Sequence, residues 1–376
     1  MKGIWPSRMP GRLWLACASA VVLWLASGPA GALATLAPVP RPAPASVRAT
    51  QAAGTPRRMT FLTAPTTAGA APEVMLADAN GSNPQPLGSA STAVLSPNGE
   101  WVAAVSPGAG SPPHGSSLVL YRVSKSAAAP RVLRSSTAQL TILDWSPDNR
   151  WIAVLDDNSL VVVPLKGKAR TIATGTISGA SFAPAAPDRL VFAKAASLLV
   201  TAPVNLYTVS LKGGSPVAIT NDGLSEYPLW GPTGIIFSRE ASHTATTYQL
   251  WLVKPNGRDI RQLTNVTVSA PFFGLEPVAV SADGQHLLAN LVGNGMTEAW
   301  IVDLAAKPPG VRELGVAGST TIGNAISRNG GTILVTEGLG SLSGSDFTGQ
   351  SIASVPWSGG TPTTLAVHAA FASWDR

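Results

Sequence analysis

The sequence predicts an all-β protein, a β-propeller of four-stranded blades, on three observations. A turn recurs down the chain, a hairpin of another kind alternates with it, and the two ends are unequal in a complementary way. Ser96-Pro97-Asn98-Gly99-Glu100-Trp101-Val102-Ala103 returns as Ser146-Pro147-Asp148-Asn149-Arg150-Trp151-Ile152-Ala153. Weaker copies follow at Ala183-Pro184, Gly231-Pro232-Thr233-Gly234, Ser281-Ala282-Asp283-Gly284 and Ser327-Arg328-Asn329-Gly330. From position 96 the spacings are 50, 37, 48, 50 and 46 residues, a period of propeller blades rather than of helical repeats.

The interleaved unit is a short apolar strand followed by a polar turn. It reads as Val74-Met75-Leu76-Ala77, Leu118-Val119-Leu120-Tyr121, Leu160-Val161-Val162-Val163 and Leu206-Tyr207-Thr208-Val209, then Leu250-Trp251-Leu252-Val253, Ala299-Trp300-Ile301-Val302 and Ile352-Ala353-Ser354-Val355. Asn80-Gly81, Lys166-Gly167, Gly213-Gly214, Asn256-Gly257 and Gly359-Gly360 supply the positive φ that tight hairpins need, so these are outer-strand hairpins. Each blade therefore alternates an inner hairpin, marked by the Ser-Pro turn, with an outer one.

The chain opens its repeats with a single strand, Met59-Thr60-Phe61-Leu62, and ends them with another, Ala370-Phe371-Ala372-Ser373-Trp374. Pairing the last strand with the first completes a blade and removes two exposed edges. The expected count is seven blades closed by the N-terminal and C-terminal strands. Six is the alternative, because the spacing of 37 is short and its inner hairpin is degenerate.

Charge and composition bound the function. The net charge of +6 comes from the N-terminal tail: Lys2, Arg8, Arg12, Arg41, Arg48, Arg57 and Arg58 precede the first acidic residue, Glu73. The body from Met59 onward is close to neutral, which argues against a nucleic-acid footprint. Lys2, Arg8 and Arg12 lead into the apolar run Leu13 to Ala26, Ser27-Gly28-Pro29 breaks it, and Ala32-Leu33-Ala34 offers a cleavage site. Residues 1–34 thus read as a signal peptide, too short in its apolar part for a membrane span, and the protein as exported to the periplasm, the cell envelope or beyond. Cys17, the only cysteine, lies in that run, and Trp14-Leu15-Ala16 before it fits a lipidation site poorly. Residues 35–58, rich in Ala and Pro, read as a disordered linker, and 59–376 as the propeller.

Trp145-Ser146-Pro147-Asp148-Asn149-Arg150-Trp151-Ile152-Ala153, with Leu250-Trp251-Leu252-Val253, Asn256-Gly257 and Arg261-Gln262-Leu263-Thr264, resembles the repeat of the TolB-like propeller family of exported bacterial proteins. The resemblance runs from about Met59 to the end. It implies export, a ring of four-stranded blades and a partner met on one face. The α/β domain that precedes the propeller in TolB has no counterpart here, where the Ala/Pro spacer stands instead.

Alternating strand direction puts both sets of short turns on one side of the ring and the longer connections on the other. Those connections are Ser106 to Ser116, Ala193 to Val204, Arg239 to Tyr248, Asn265 to Glu276 and Glu337 to Gly349. Variable loops on a rigid scaffold carry binding, so that side is the expected functional face. Residues just before the innermost strands approach the channel there. Glu226-Tyr227-Pro228 and Glu276-Pro277 occupy equivalent places in consecutive blades, and Asn324 follows one blade later. Tyr227, Phe272 and Phe273 could form an apolar platform beside the acidic pair, and His114 and His243 fall in loops of the same face. The candidate partner-binding residues are therefore Glu226, Tyr227, Glu276, Phe273, Asn324, His114 and His243. The bland alternative for the carboxylates is a solvated loop position, and for the histidines a surface one.

Catalytic constellations are mostly absent from the sequence. The histidines are isolated, Gly340-Ser341-Leu342-Ser343-Gly344 puts Leu342 where a serine nucleophile belongs, and Asp78-Ala79-Asn80-Gly81-Ser82-Asn83 lacks the downstream Glu of a calcium loop. Tryptophans at matched blade positions read as packing between blades, with Trp357 as the one expected to be exposed. The expected function is a monomeric, non-enzymatic scaffold without a cofactor that binds a protein, peptide or glycan of the cell envelope. The alternative is a hydrolase or lyase acting on an envelope sugar or lactone, through a metal held by Glu226, Glu276 and a loop histidine.

Overall fold

The computed structural model describes residues 57–65, 70–108, 115–125, 128–197, 202–315, 320–338 and 347–375. The signal segment, nearly all of the linker, His114 and the Gly340–Gly344 stretch lie outside these residues.

Among the described residues, twenty-eight strands form four four-stranded sheets and one of twelve, and antiparallel pairing divides the twelve into three further groups of four. The first group holds β1 (Arg58–Thr63), β2 (Glu73–Asp78) and β3 (Gln85–Ser89), with the last strand, β28 (Ala369–Trp374), inside β1. The second is β4 (Thr92–Leu95), β5 (Trp101–Pro107), β6 (Ser116–Arg122) and β7 (Arg131–Ser136). The third is β8 (Leu140–Trp145), β9 (Trp151–Asp156), β10 (Ser159–Pro164) and β11 (Arg170–Thr174). The fourth is β12 (Ile177–Ala183), β13 (Ala186–Ala195), β14 (Val204–Ser210) and β15 (Val217–Ala218). The fifth is β16 (Ser225–Gly231), β17 (Gly234–Glu240), β18 (Tyr248–Val253) and β19 (Arg261–Gln262). The sixth is β20 (Phe272–Val280), β21 (His286–Gly293), β22 (Thr297–Asp303) and β23 (Gly310–Glu313). The seventh is β24 (Thr320–Ile326), β25 (Thr332–Gly338), β26 (Gln350–Pro356) and β27 (Thr363–Val367). Pairing within each group is antiparallel, and single parallel bridges, Tyr248 with Gly274 and Glu298 with Thr321, link the last three.

The recurrent turn has a simple cause. Ser146 Oγ donates to Asp148 Oδ1 at 2.7 Å and accepts from the Trp151 amide at 2.9 Å, which ties the turn to the start of the next strand. Ser96 does the same with Asn98 and Trp101, Ser281 with Asp283 and His286, and Ser327 with Asn329 and Thr332. The residue at the third place after serine has φ near +60 to +70°, which glycine or asparagine tolerates: Gly99 is at 69° and Asn149 at 61°.

Apolar packing lies between the blades. Buried hydrophobic residues form seven clusters, each drawn from two neighbouring groups of strands. Both faces of every sheet are thereby covered, so runs such as Leu160-Val161-Val162-Val163 are buried throughout rather than alternating. One of these clusters joins Met59, Phe61 and Trp374 to Ala325, Leu334 and Ile352, the groups at the two ends of the chain.

Hydrogen bonds run across every one of these junctions as well. Leu95 N donates to Ser373 Oγ, Trp145 Nε1 to Val94 O, Phe182 N to Asp144 Oδ2, and Trp230 N to Ser181 Oγ. Ser238 Oγ donates to Leu275 O, Gly323 N to Asn290 Oδ1, and Phe371 N to Thr336 Oγ1. The circuit holds the innermost strands around one central space.

Trp145, Trp230 and Trp374 are buried at junctions, as the matched positions predict. Trp357 departs from its expected exposure. It is half-buried, with its ring 4.3 Å from that of His286 in the neighbouring blade, because the outer turn of the seventh blade folds back over the sixth.

Candidate functional site

All seven innermost strands line a central cavity of about 260 Å³. The titratable side chains among its lining residues are Asp144, Tyr227 and Glu276, with no lysine, arginine or histidine beside them. Asp144 is occupied structurally, accepting from the amides of Trp145 and Phe182. Glu276 is the chemically distinctive group.

Glu276 lies inside β20 and is only 4% exposed. Its Oε1 accepts the phenol proton of Tyr248 at 3.0 Å. Tyr248 begins β18, one blade away, and its ring crosses Gly274, where an added Cβ would stand 2.3 Å from Tyr248 O and 2.5 Å from its Cδ2. Glycine at 274, with φ of 151°, is what permits the crossing. The Tyr227 ring lies 6.2 Å from that of Tyr248, so two aromatic rings flank the acid. Opposite Glu276 in the β20–β21 register, Asn290 is fully committed to Gly323, accepting its amide at 2.8 Å and donating to its carbonyl at 3.2 Å.

Burial pushes the Glu276 carboxyl up to about 8, against the lowering effect of the Tyr248 hydrogen bond and with help from the negative charge of Glu226. At neutral pH the group therefore largely keeps its proton. It can offer a hydrogen bond to an acceptor in the cavity, and it becomes a carboxylate when a cation offsets the cost of burial. Burial, and then the charge on Glu276, push the Tyr248 phenol well above its ordinary value, so Tyr248 stays a donor.

The sequence places Glu226, Tyr227, Glu276 and Asn324 near the channel, and the structure gathers them. Tyr227, Glu276 and Asn324 line one cavity, and Glu226 stands close enough to act on Glu276. They are positioned differently from the expectation, lying within β16, β20 and β24 rather than in loops ahead of them. The innermost strands extend further because register shifts at Glu226/Leu229, Phe272/Gly274 and Gly323/Ala325 let them bulge and continue pairing. Tyr227, at φ of 49°, sits in such a bulge. Asn324 is turned to its own blade, donating to Thr336 Oγ1 at 2.8 Å.

Three other expectations resolve differently. Phe272 packs into the core between the fifth and sixth blades, and Phe273 is the residue skipped at the β20 bulge; neither lines the cavity. His243 is exposed in the 241–247 connection beside Gly223 and is also outside the lining. His114 lies outside the described residues. The connections on this face are also uneven: residues 157 and 158 alone join β9 to β10, and residues 294–296 join β21 to β22. Among the described residues no group of three His, Cys, Asp or Glu side chains is placed to hold a metal ion.

Reasoning from sequence missed Tyr248, Asn290 and Thr336. Only Gly274, a lone glycine between Phe273 and Glu276, signalled close backbone approach, and it could not name the residue that approaches.

The loop face as a whole is acidic. Glu73, Asp157, Glu298, Glu313 and Glu337 lie at strand ends or connections on this side; its arginines are engaged by carboxylates, Arg134 with Asp156 and Arg239 with Asp222, and Lys194 lies half-buried at the end of β13. Glu298 is raised by burial and by the charge of Glu313, and Glu337 by burial.

No protein-family model matches the chain, and no curated protein matches it in sequence. Solved structures do match in fold. TolB from Acinetobacter baumannii is similar at a TM-score of 0.51 and 15% identity, over 86% of this chain and 68% of that one. The β-propeller domain of the Trilobed protease from Pyrococcus furiosus gives 0.58 at 9% identity, over 84% of this chain and 96% of that domain. Oligogalacturonate lyase from Vibrio parahaemolyticus gives 0.51 at 14%, over 84% and 85%. At these identities the likeness is one of fold, and the chain has a TolB-like β-propeller fold.

Proposed function

We propose that this protein is an exported, monomeric, non-enzymatic propeller that binds a protein, peptide or glycan of the cell envelope through its loop-rich face. The channel wall around Glu276 forms the centre of that site. The observation that carries this reading is the buried Glu276 carboxyl, held on one oxygen by Tyr248 and flanked by Tyr227, inside a cavity with no basic lining residue. Such a group suits recognition: it donates a hydrogen bond when protonated and answers a cation when ionised, and the tyrosine rings accept sugar or aliphatic surfaces. The basic and apolar pattern of residues 1–34 supports export. The metal-assisted alternative needs a loop histidine beside Glu226 and Glu276; His243 stands away from the cavity, and His114 lies outside the described residues.

The test is recovery of envelope material on the immobilised protein, comparing wild type with the Glu226→Gln, Glu276→Gln double variant. Loss of recovered partner with an unchanged fold supports the site. Undiminished recovery sinks it and leaves the fold untouched.

A further inference from the structure

The near-neutral body conceals a separation of charge, and it concerns the face opposite the loops. Antiparallel pairing places the inner-hairpin turns and the outer-hairpin turns of every blade on one side of the ring. Basic residues outnumber acidic ones there. Arg150 and Arg328 lie in inner turns, and Lys166, Lys168, Arg258 and Lys307 in outer turns; all six are exposed.

Of the acidic residues on the same face, Glu100 stands exposed, Asp188 and Asp259 pair with Lys212 and Lys254, and most of the others are drawn back into the turns. Asp148 and Asp283 accept from the serine hydroxyl and from a backbone amide of their turns, and Asp303 caps the Ala305 amide. Asp375 accepts from the amides of Arg57 and Arg58. Several carboxylates thus serve as short internal caps, and more cationic than acidic side chains stand out into solvent.

The chain also enters the propeller on this face. Arg57 and Arg58 meet Asp375 at the turn-side end of β1. Residues 35–56 before them carry Arg41 and Arg48 and no acidic residue. The described chain thus begins on its cationic face.

We infer that the turn face docks onto an anionic lipid surface, with phosphate headgroups as the groups it reads, so that the acidic loop face points away from the membrane. Cations spread over one flat rim all come within a Debye length of about 8–10 Å of a bilayer at physiological salt. Each is then worth about fivefold in partitioning onto anionic lipid. The opposite face would be repelled by the same surface, which fixes orientation as well as affinity.

The experiment uses the exported form, residues 35–376, and vesicles of phosphatidylcholine with about one-third phosphatidylglycerol. A turn-face variant replaces Lys166, Lys168 and Lys307 by Gln. Adding Glu73→Gln, Asp157→Asn and Glu313→Gln on the loop face restores the wild-type net charge. This charge-balanced variant is expected to partition at least about tenfold less than wild type. The loop-face changes alone are expected to leave partitioning at or above the wild-type level, which also shows that those changes do not unfold the protein. The N-terminal segment is common to all three proteins, so differences among them read the turn face. Equal partitioning of the charge-balanced variant and wild type, or equal binding of wild type to purely neutral vesicles, overturns the proposal. So does full release of bound protein by free inorganic phosphate at matched ionic strength, which would make the face a soluble-anion site.

Discussion

Tyr248 donates its phenol proton to Glu276 across 3.0 Å, from one blade to the innermost strand of the next. The acid is buried in the wall of the channel, and this single bond restrains it against a cost of burial that favours protonation. Its titration therefore reports on the site.

Stability should fall with pH because of Glu276. Its folded value is about 8 against an ordinary 4.5, so between these pH values the folded state holds a proton that the unfolded chain has released. The contribution is fully present below pH 4.5 and is lost as pH rises through about 8. A difference of one in pKa corresponds to about 1.4 kcal/mol, which makes the loss a few kcal/mol. Urea unfolding at successive pH values should show the slope in wild type and a flatter profile in Glu276→Gln; matching slopes would refute the assignment.

The neighbours of Glu276 should move its titration in opposite directions. Tyr248→Phe removes a bond that favours the carboxylate and raises the midpoint, whereas Glu226→Gln removes a repelling charge and lowers it. Carboxyl titration by NMR on both variants decides this. Movement of both in the same direction would mean that general loosening, not these contacts, sets the value.

Gly274→Ala should destabilise the fold by about 2–3 kcal/mol, since the new methyl group meets the backbone and ring of Tyr248. The same change should displace the Tyr248 hydroxyl and raise the Glu276 midpoint. Thermal melting near wild type with an unaltered titration would count against the close approach.

Thr336→Val should cost about 2–4 kcal/mol, because Thr336 Oγ1 accepts from both Asn324 and the Phe371 amide and the two donors would be left without it. The loss falls at the junction between the seventh group of strands and β28. Faster proteolysis near the C-terminus is the expected accompaniment, and a cost below about 0.5 kcal/mol would show that the junction does not depend on this hydroxyl.

Ser146→Ala should cost about 1–2 kcal/mol by releasing Asp148 and the Trp151 amide together. Equilibrium unfolding of this variant beside an exposed Ser→Ala control reads the difference. Equal values for the two would remove the explanation offered for the recurrence of the turn.

Much of the fold was legible in the chain because its causes are local. Each Ser-Pro turn closes on residues within five positions of its serine, and each outer hairpin follows from a strand of apolar residues and a glycine or asparagine turn. The 37-residue spacing misleads only in length: β12 and β13 still pair, through register shifts at both ends of β12. The candidate site was half legible. Equivalent repeat positions bring Glu226 and Glu276 to notice, but the reading of both as loop residues failed, since a bulged strand and a loop carry the same residues.

The sequence by itself determined the repeating strands, the turns that join them and the pairing partners within each blade. Those depend on neighbours a few positions apart and on a period that can be counted. Only the tertiary structure decided that Tyr248 holds Glu276, that Trp357 packs on His286, and that the body's charges divide between two faces. Each of these brings together groups from different blades, or sorts them by strand end. Composition averages over such differences; folding separates them, because every antiparallel turn sends the chain to the opposite side of the ring.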